Sequence, residues 1–149
     1  MAGLADIRGL PVMTDGRVIA ASYGNKIAAF DQNNGSRLWQ KEIGSAETPW
    51  VAGETVYLLT PSSKLVALSL YDGSTLWTHA LDKADWTGPV MAGGTLFVAG
   101  TKGRVIEINP RNGEKLDQWD AGDDISIAPI VAEGALYILS DDGTLSAYR

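Results

Sequence analysis

The stretch Lys64-Leu-Val-Ala-Leu-Ser-Leu-Tyr-Asp-Gly-Ser-Thr-Leu-Trp77 is an alternating apolar run, an Asp-Gly turn and a second short run that ends in Trp. Alternation with period two predicts a half-buried strand, and an Asp-Gly pair between two such runs is typical of a β-hairpin. Lys26-Ile-Ala-Ala-Phe30, followed by Asn34-Gly35 and Trp39, has the same arrangement. The hairpin is therefore predicted to occur more than once.

The whole chain repeats with the same register. Its markers are Pro11, Pro49, Pro89 and Pro129, spaced 38, 40 and 40 residues apart, and the apolar pairs Val18-Ile19, Val56-Tyr57, Leu96-Phe97 and Leu136-Tyr137. A period near 40, divided into four strand-like runs by Gly, Asn and Asp turns, is typical of one propeller blade per repeat. A helical repeat is disfavoured, because no twelve-residue stretch carries a helical apolar pattern without a Gly or Pro.

The sequence thus predicts an all-β fold, a β-propeller of four-stranded antiparallel blades. About four blades are expected in a single segment 1–149, with boundaries near 7–44, 45–83, 84–122 and 123–149. The fourth unit ends at Arg149 without its last strand, so that blade is expected to be incomplete. We interpret the segment as half of an eight-bladed ring.

Composition excludes several partners. The formal net charge is -6, and the 12 basic residues are scattered, so a nucleic-acid backbone or an anionic membrane surface is not expected as a partner. No run of about 18 apolar residues could span a bilayer. The start Met1-Ala-Gly-Leu-Ala-Asp6 lacks a basic n-region and an apolar h-region. We expect no signal peptide, lipobox or direct membrane insertion in this sequence.

Enzymatic groups are scarce. The sequence has no Cys and one His, His79, so a thiolate nucleophile and a His-rich metal site are not expected. Asp123-Asp124 and Asp141-Asp142 lack the spaced oxygen ligands of a calcium loop and are interpreted as turn residues. No glycine-rich phosphate loop precedes a helix. We predict no catalytic residue, no metal site, no cofactor and no enzyme activity.

The repeats resemble a known type. Ile27-Ala-Ala-Phe-Asp31 with Asn34-Gly-Ser-Arg-Leu-Trp39, and Leu65-Val-Ala-Leu-Ser69 with Asp72-Gly-Ser-Thr-Leu-Trp77, are similar to the quinoprotein-type (PQQ-like) propeller repeat. The third unit departs from it, because Asp117 stands where Trp39 and Trp77 stand and Trp119 follows two residues later. Docking of that blade is expected to differ.

Four further segments resemble one family within this repeat type. They are Leu4-Ala-Asp-Ile-Arg-Gly-Leu-Pro-Val12, Glu47-Thr-Pro-Trp-Val-Ala-Gly53, Trp86-Thr-Gly-Pro-Val90 and Asp141-Asp-Gly-Thr-Leu-Ser-Ala-Tyr-Arg149. They look most like the C-terminal half of the BamB family of outer-membrane protein assembly lipoproteins. The resemblance implies a periplasmic, non-catalytic interaction scaffold whose protein partners belong to that machinery. The alternatives are an engineered or excised half-propeller fragment that self-assembles, and, less favoured, part of a quinone-dependent dehydrogenase.

Aromatic and charged residues give the candidate sites. Trp39 and Trp77, at the ends of outer strands, are interpreted as structural blade-docking residues. Trp86 takes the position of Arg8, Ala46 and Ser126, in the connection before the innermost strand, and is either a local plug or a contact residue. The candidate partner-facing residues are Arg8, Glu47, Asp85 and Trp86.

An open array has two uncovered blade faces. Because soluble monomers rarely expose large apolar patches, we expect these faces to be covered, and a homodimer that completes a ring does so with one two-fold axis. A tight four-blade ring or another chain are the other two solutions. Residues 4–6 are a candidate closing strand for the fourth blade.

Overall fold

A computed structural model describes residues 9–45 and 47–149 and places four antiparallel sheets one after another along the chain. The first sheet contains β1 (Val12–Thr14), β2 (Arg17–Ala21), β3 (Ile27–Asp31) and β4 (Arg37–Lys41). The second contains β5 (Trp50–Ala52), β6 (Thr55–Leu59), β7 (Lys64–Ser69) and β8 (Thr75–Ala80). The third contains β9 (Trp86–Ala92), β10 (Thr95–Gly100), β11 (Arg104–Ile108) and β12 (Lys115–Asp120). The fourth contains β13 (Ile130–Ala132), β14 (Ala135–Leu139) and β15 (Leu145–Tyr148).

Each sheet is a meander in which every strand pairs with its neighbour in sequence. The all-β, propeller-blade prediction is therefore confirmed, and the described part of the fourth sheet has three strands. Residues 4–6, the candidate closing strand, lie outside the described residues. A 3₁₀ turn at Thr101–Gly103 joins β10 to β11. No helix in the described ranges has the length and apolar character needed to cross a membrane.

Three turns share one local chemistry. Gly35, Gly73 and Gly113 have φ values of 72°, 72° and 74°, which is the left-handed region that glycine adopts without steric cost. In each turn the Asx residue before the glycine accepts a hydrogen bond from the backbone N–H two positions after it, at 2.8, 2.9 and 3.0 Å. The Asx-Gly pairs therefore fix these turns locally, as the hairpin prediction requires.

Hydrophobic clusters lie between neighbouring sheets. Ile19 and Ile27 of the first sheet pack against Leu58 and Leu68 of the second, and all four side chains are fully buried. Corresponding clusters join the second sheet to the third and the third to the fourth. No cluster among the described residues joins the first sheet to the fourth. The sheets therefore form a row. We call each of the three apolar interfaces between neighbouring sheets a seam, and number the seams in chain order.

The far face of the fourth sheet is exposed. Ile130, Leu139 and Leu145 are 67%, 40% and 66% exposed. Leu59 and Leu65, the counterparts of Leu139 and Leu145 in the second sheet, are 1% and 0% exposed, because the third sheet covers them. The same type of side chain is thus core where a neighbouring sheet is present and surface where the described residues supply none.

Candidate functional site

A cavity of about 440 Å³ opens at the edge of the array where loops from all four sheets meet. The loops between the second and third strands contribute Tyr23, Ser63, Thr101 and Asp141. The connections between sheets contribute Glu47, Asp85, Asp124 and Ser126, and Trp86 lines the cavity from the start of β9. We call this the axial cavity.

The axial cavity brings together three of the four candidate partner-facing residues. Glu47 is half-buried, Asp85 is exposed and Trp86 is buried, and all three line it. Arg8 lies outside the described residues. Asp85 also lines a second, neighbouring cavity with Lys83, which places it on the ridge between the two.

Trp86 occupies a different structural position from the one expected. It is the first residue of β9 and pairs with Gly100, whereas the sequence interpretation placed it in the preceding connection. Gly100 permits this pairing because an added Cβ there would clash with the Asp85 carbonyl oxygen and would also lie 3.1 Å from Cε3 of Trp86. The strand therefore begins earlier than its counterparts in the other sheets.

The contacts of Trp86 favour its interpretation as a local plug over its interpretation as a partner-contacting residue. Its side chain is 7% exposed, and its indole N–H donates to the Asp82 carbonyl at 2.8 Å. The Arg104 guanidinium lies over the ring, 4.8 Å from the centroid, and approaches the Asp82 carboxylate at 3.5 Å. The ring thus has a contact on its face from β11 and a contact at its nitrogen from the connection before β9.

Two carboxylates in the axial cavity were not predicted as site residues. Asp141 accepts hydrogen bonds from the Ser126 hydroxyl at 2.7 Å and the Ser126 N–H at 3.2 Å. Asp124 Oδ1 accepts a hydrogen bond from the Lys102 N–H. Both belong to pairs interpreted as turn residues, which is consistent with these bonds. The signal available was the alignment of Ser126 with Trp86, which places the neighbouring Asp124 near the same axis.

The two proposed blade-docking residues lie in the first and second seams. The Trp39 indole N–H donates to the Leu70 carbonyl of the second sheet at 2.8 Å, and its ring lies over Gly73. The Trp77 indole N–H donates to the Pro110 carbonyl of the third sheet at 2.9 Å, and its ring lies over Gly113. A Cβ at either glycine would lie 2.6 or 2.5 Å from Cε3 of the covering indole.

Tyr57 reinforces the second seam. Its hydroxyl donates to the same Pro110 carbonyl at 3.2 Å, and its ring is 5.9 Å from that of Trp77. Burial raises the pKa of the Tyr57 hydroxyl above its usual value, because the phenolate would lose hydration in the seam.

The third seam has a different arrangement. Trp119 pairs with Val105, whereas Trp39 and Trp77 pair with Ala29 and Ala67. Its indole N–H donates to Glu107 Oε1 of its own sheet at 3.0 Å. The ring packs on Tyr148 of the fourth sheet, with centroids 4.4 Å apart. The expected difference in docking is therefore seen in these contacts.

Four successive antiparallel meanders with apolar seams and an axial end lined by loops define a β-propeller array. The family model described as outer membrane protein assembly factor BamB matches residues 1–79 and 63–149. The chain belongs to this family.

Known proteins agree with that assignment. The chain is 32% identical over 144 residues to the outer membrane protein assembly factor BamB of Escherichia coli K12, covering 95% of this chain and 37% of that protein. The crystal structure of BamB from Moraxella catarrhalis superposes with a TM-score of 0.89 at 26% identity, over 96% of this chain and 43% of that one. The computationally designed Ika4 protein has a TM-score of 0.82 at 12% identity, with 99% and 94% covered, which shows the fold alone. The chain spans well under half the length of its BamB relatives.

Proposed function

We propose that this chain is a non-catalytic protein-interaction scaffold and a component of outer-membrane β-barrel protein assembly in the periplasm. The observation that carries the proposal is the BamB match along nearly the whole chain, since the relatives it matches bear the name of an assembly factor. The axial cavity supports an interaction role because loops from four sheets present one composite surface there.

The interaction surface is assigned to the axial end. Asp85 is exposed there and Glu47 is half-exposed, while the seams between sheets are filled by apolar clusters. Partners of the assembly machinery therefore meet charged loop residues at this end. The role of Trp86 in this surface is to hold the connection before β9 in position through its hydrogen bond to Asp82 and its cation–π contact with Arg104.

Co-purification tests the proposal. The tagged chain, incubated with detergent-solubilised outer membranes, is expected to enrich assembly-machinery proteins by mass spectrometry. The triple variant Arg8→Glu, Glu47→Lys, Asp85→Lys should lose that enrichment with an unchanged melting temperature. The matched control Arg37→Glu, Glu114→Lys, Asp117→Lys carries the same charge changes on exposed peripheral residues and should bind like wild type.

Two results would contradict the proposal. If no assembly protein is enriched by the wild-type chain, the scaffold role is wrong. A rise in melting temperature on adding pyrroloquinoline quinone with calcium would instead support the dehydrogenase alternative, because a ligand that binds only the folded state stabilises it.

Self-association is the second part of the proposal. The exposed face formed by Ile130, Leu139 and Leu145 has the apolar character of a seam, so we propose that a second copy covers it and completes an eight-sheet ring. Light scattering across a concentration series should give about twice 15.8 kDa. The variant Leu145→Glu should give the monomer mass, and a wild-type monomer at all concentrations would overturn the dimer.

A further inference from the structure

In the first two seams an indole from one sheet lies on a turn glycine of the next, an arrangement that we call the indole joint. The covered glycines, Gly73 and Gly113, are both buried. Gly35 has the same position in the first repeat, but it is exposed, and no described atom lies within 4 Å of a Cβ built there. The first sheet therefore has an exposed copy of the turn that receives an indole in the second and third sheets.

The three turns have the same backbone geometry. Their glycines have φ values of 72°, 72° and 74°. In each turn the glycine N–H donates to the carbonyl four residues before it at 2.9 Å. The N–H of that earlier residue donates to the carbonyl of the residue after the glycine at 2.8 Å. The turn of the first sheet is thus already formed without an indole, and such preorganisation lowers the cost of binding one.

The acceptor of the indole N–H also has a counterpart in the first sheet. Both indoles donate to the carbonyl of the residue three positions before the turn glycine, which is Leu70 in the first joint and Pro110 in the second. Gln32 holds this position in the first sheet. Its N–H donates to the Gly16 carbonyl at 2.9 Å, as the Leu70 N–H donates to the Glu54 carbonyl at 2.9 Å. The backbone at Gln32 is therefore anchored like its counterpart in the first joint.

The sheet that carries this turn also has an apolar face. In the second sheet, the cross-strand pair Val56 and Leu68 belongs to the cluster that contains Trp39, and both side chains are fully buried. The corresponding pair in the first sheet is Val18 and Phe30, and both are only half-buried. The first sheet thus has the three parts of a receiving surface, which are the turn glycine, the carbonyl and the apolar pair.

The tryptophans of this chain are already packed elsewhere. All five belong to the apolar clusters of the seams or pack against them: Trp39, Trp50, Trp77, Trp86 and Trp119. In the proposed ring the fourth sheet of a second copy lies against the first sheet, and residues 123–149 contain no Trp. A second copy in that ring therefore brings no indole to the Gly35 turn.

We propose that the turn from Gln32 to Gly35 binds a tryptophan side chain at the end of a β-strand from another polypeptide. The six-membered ring lies on Gly35, and the indole N–H donates to the Gln32 carbonyl. Trp39 and Trp77 have one common pose, because the same three ring atoms, Cε3, Cδ2 and Cζ3, lie nearest to a Cβ built on the covered glycine. Tryptophan is the side chain that combines this flat apolar ring with an N–H donor.

The test uses a blocked peptide that copies the strand of Trp39, Gly35-Ser-Arg-Leu-Trp-Gln-Lys41, titrated into the full chain and followed by NMR. Protons over an aromatic face resonate upfield, so the Hα signals of Gly73 and Gly113 are internal references. The Hα signal of Gly35 should move upfield towards them and saturate. A peptide with Ala in place of Trp should cause no such shift. A 1-methyltryptophan peptide should bind about fivefold more weakly, because it lacks the N–H.

Gly35→Ala tests the ring position. Its Cβ would stand where the ring lies, as the approaches of 2.6 and 2.5 Å at Gly73 and Gly113 indicate, so the peptide should no longer bind. Gly94→Ala is the matched control, because Gly94 has a φ of 79° and no described atom within 4 Å of an added Cβ. This variant has a similar backbone strain and should bind the peptide like wild type.

Several results would overturn the site. These are no saturable shift at Gly35, equal affinity for the 1-methyltryptophan peptide, and unchanged affinity in Gly35→Ala. A Gly35 signal that is already upfield in the free chain and moves with protein concentration would show that a second copy covers the turn, and would overturn the assignment to another polypeptide. The inference does not rest on the assembly role, which co-purification tests separately.

Discussion

The first two seams and the third seam join equivalent sheets in different ways. In the first two, an indole crosses to the next sheet, donates to a backbone carbonyl and covers a turn glycine. In the third, Trp119 donates to a carboxylate of its own sheet and meets the fourth sheet through apolar packing, which includes a tilted ring contact with Tyr148. Moving the Trp by two residues along the outer strand therefore replaces a hydrogen bond between sheets with apolar packing alone.

Among these variants, Trp39→Ala should lower the stability of the fold the most. The side chain is 8% exposed and belongs to the first seam's cluster, so its loss should lower the free energy of unfolding by about 3–5 kcal/mol. Trp119→Ala should cost less, because the partly buried ring loses mainly its tilted contact with Tyr148, which is worth about 0.5–1.5 kcal/mol. Urea unfolding measures both, and equal losses would show that the two kinds of seam do not differ in strength.

Comparing the stability lost in Gly73→Ala with that lost in Gly35→Ala separates the steric effect of the indole from the backbone strain. Both glycines have φ of 72°, so both variants carry about 1–2 kcal/mol of left-handed strain. Only Gly73 lies under an indole, and overpacking there should add about 1–3 kcal/mol. No described atom lies within 4 Å of a Cβ at Gly35. Similar midpoints in urea would mean that the indole moves aside freely.

Tyr57→Phe tests the second donor in the second seam. The variant should lose about 0.5–1.5 kcal/mol at neutral pH by removing the bond to Pro110. Burial raises the folded-state pKa of Tyr57, so the folded chain keeps a proton that the unfolded chain releases as pH rises above the usual value of 10.0. Part of the stability present below that pH is therefore lost in stronger alkali. Phenylalanine cannot titrate, so the alkaline decline should be shallower in the variant, and parallel curves would exclude Tyr57 as a contributor.

Asp117→Asn should change the stability least. The substitution lies on β12, the strand that carries the Trp of the third seam. Asp117 pairs across strands with Glu107, so removing one charge should stabilise the chain by about 0.2–1 kcal/mol at low salt. The gain should disappear at high salt because exposed charges are screened. A gain that persists in 1 M salt would assign the effect to something other than charge repulsion.

Local patterns in the sequence predicted most of the fold. The Asx-Gly turns and alternating runs predict β3, β4, β7 and β8 because both signals depend on residues close in the chain. The departure at Asp117 was also visible, since it breaks a repeat. The start of β9 at Trp86 was missed because its pairing partner, Gly100, lies fourteen residues away, across a hairpin with a register shift. Local pattern gives no signal for such a pairing.

The axial cavity was predictable only in part. Repeat alignment brings Glu47, Asp85 and Trp86 to one end, and the structure places them around the same cavity. Asp124 and Asp141 were interpreted by their turn chemistry, which the hydrogen bonds support, but one residue can both form a turn and line a cavity.

The indole joint also has a consequence for how such a chain can lengthen. Each of the first two sheets carries the Trp that docks onto the next sheet, and the Asx-Gly turn that receives a Trp recurs at the same point of the first three repeats. Copying one repeat of the gene therefore copies the donor and the acceptor of the joint together. New blades can be inserted with compatible edges on both sides, and stability grows by nearest-neighbour increments.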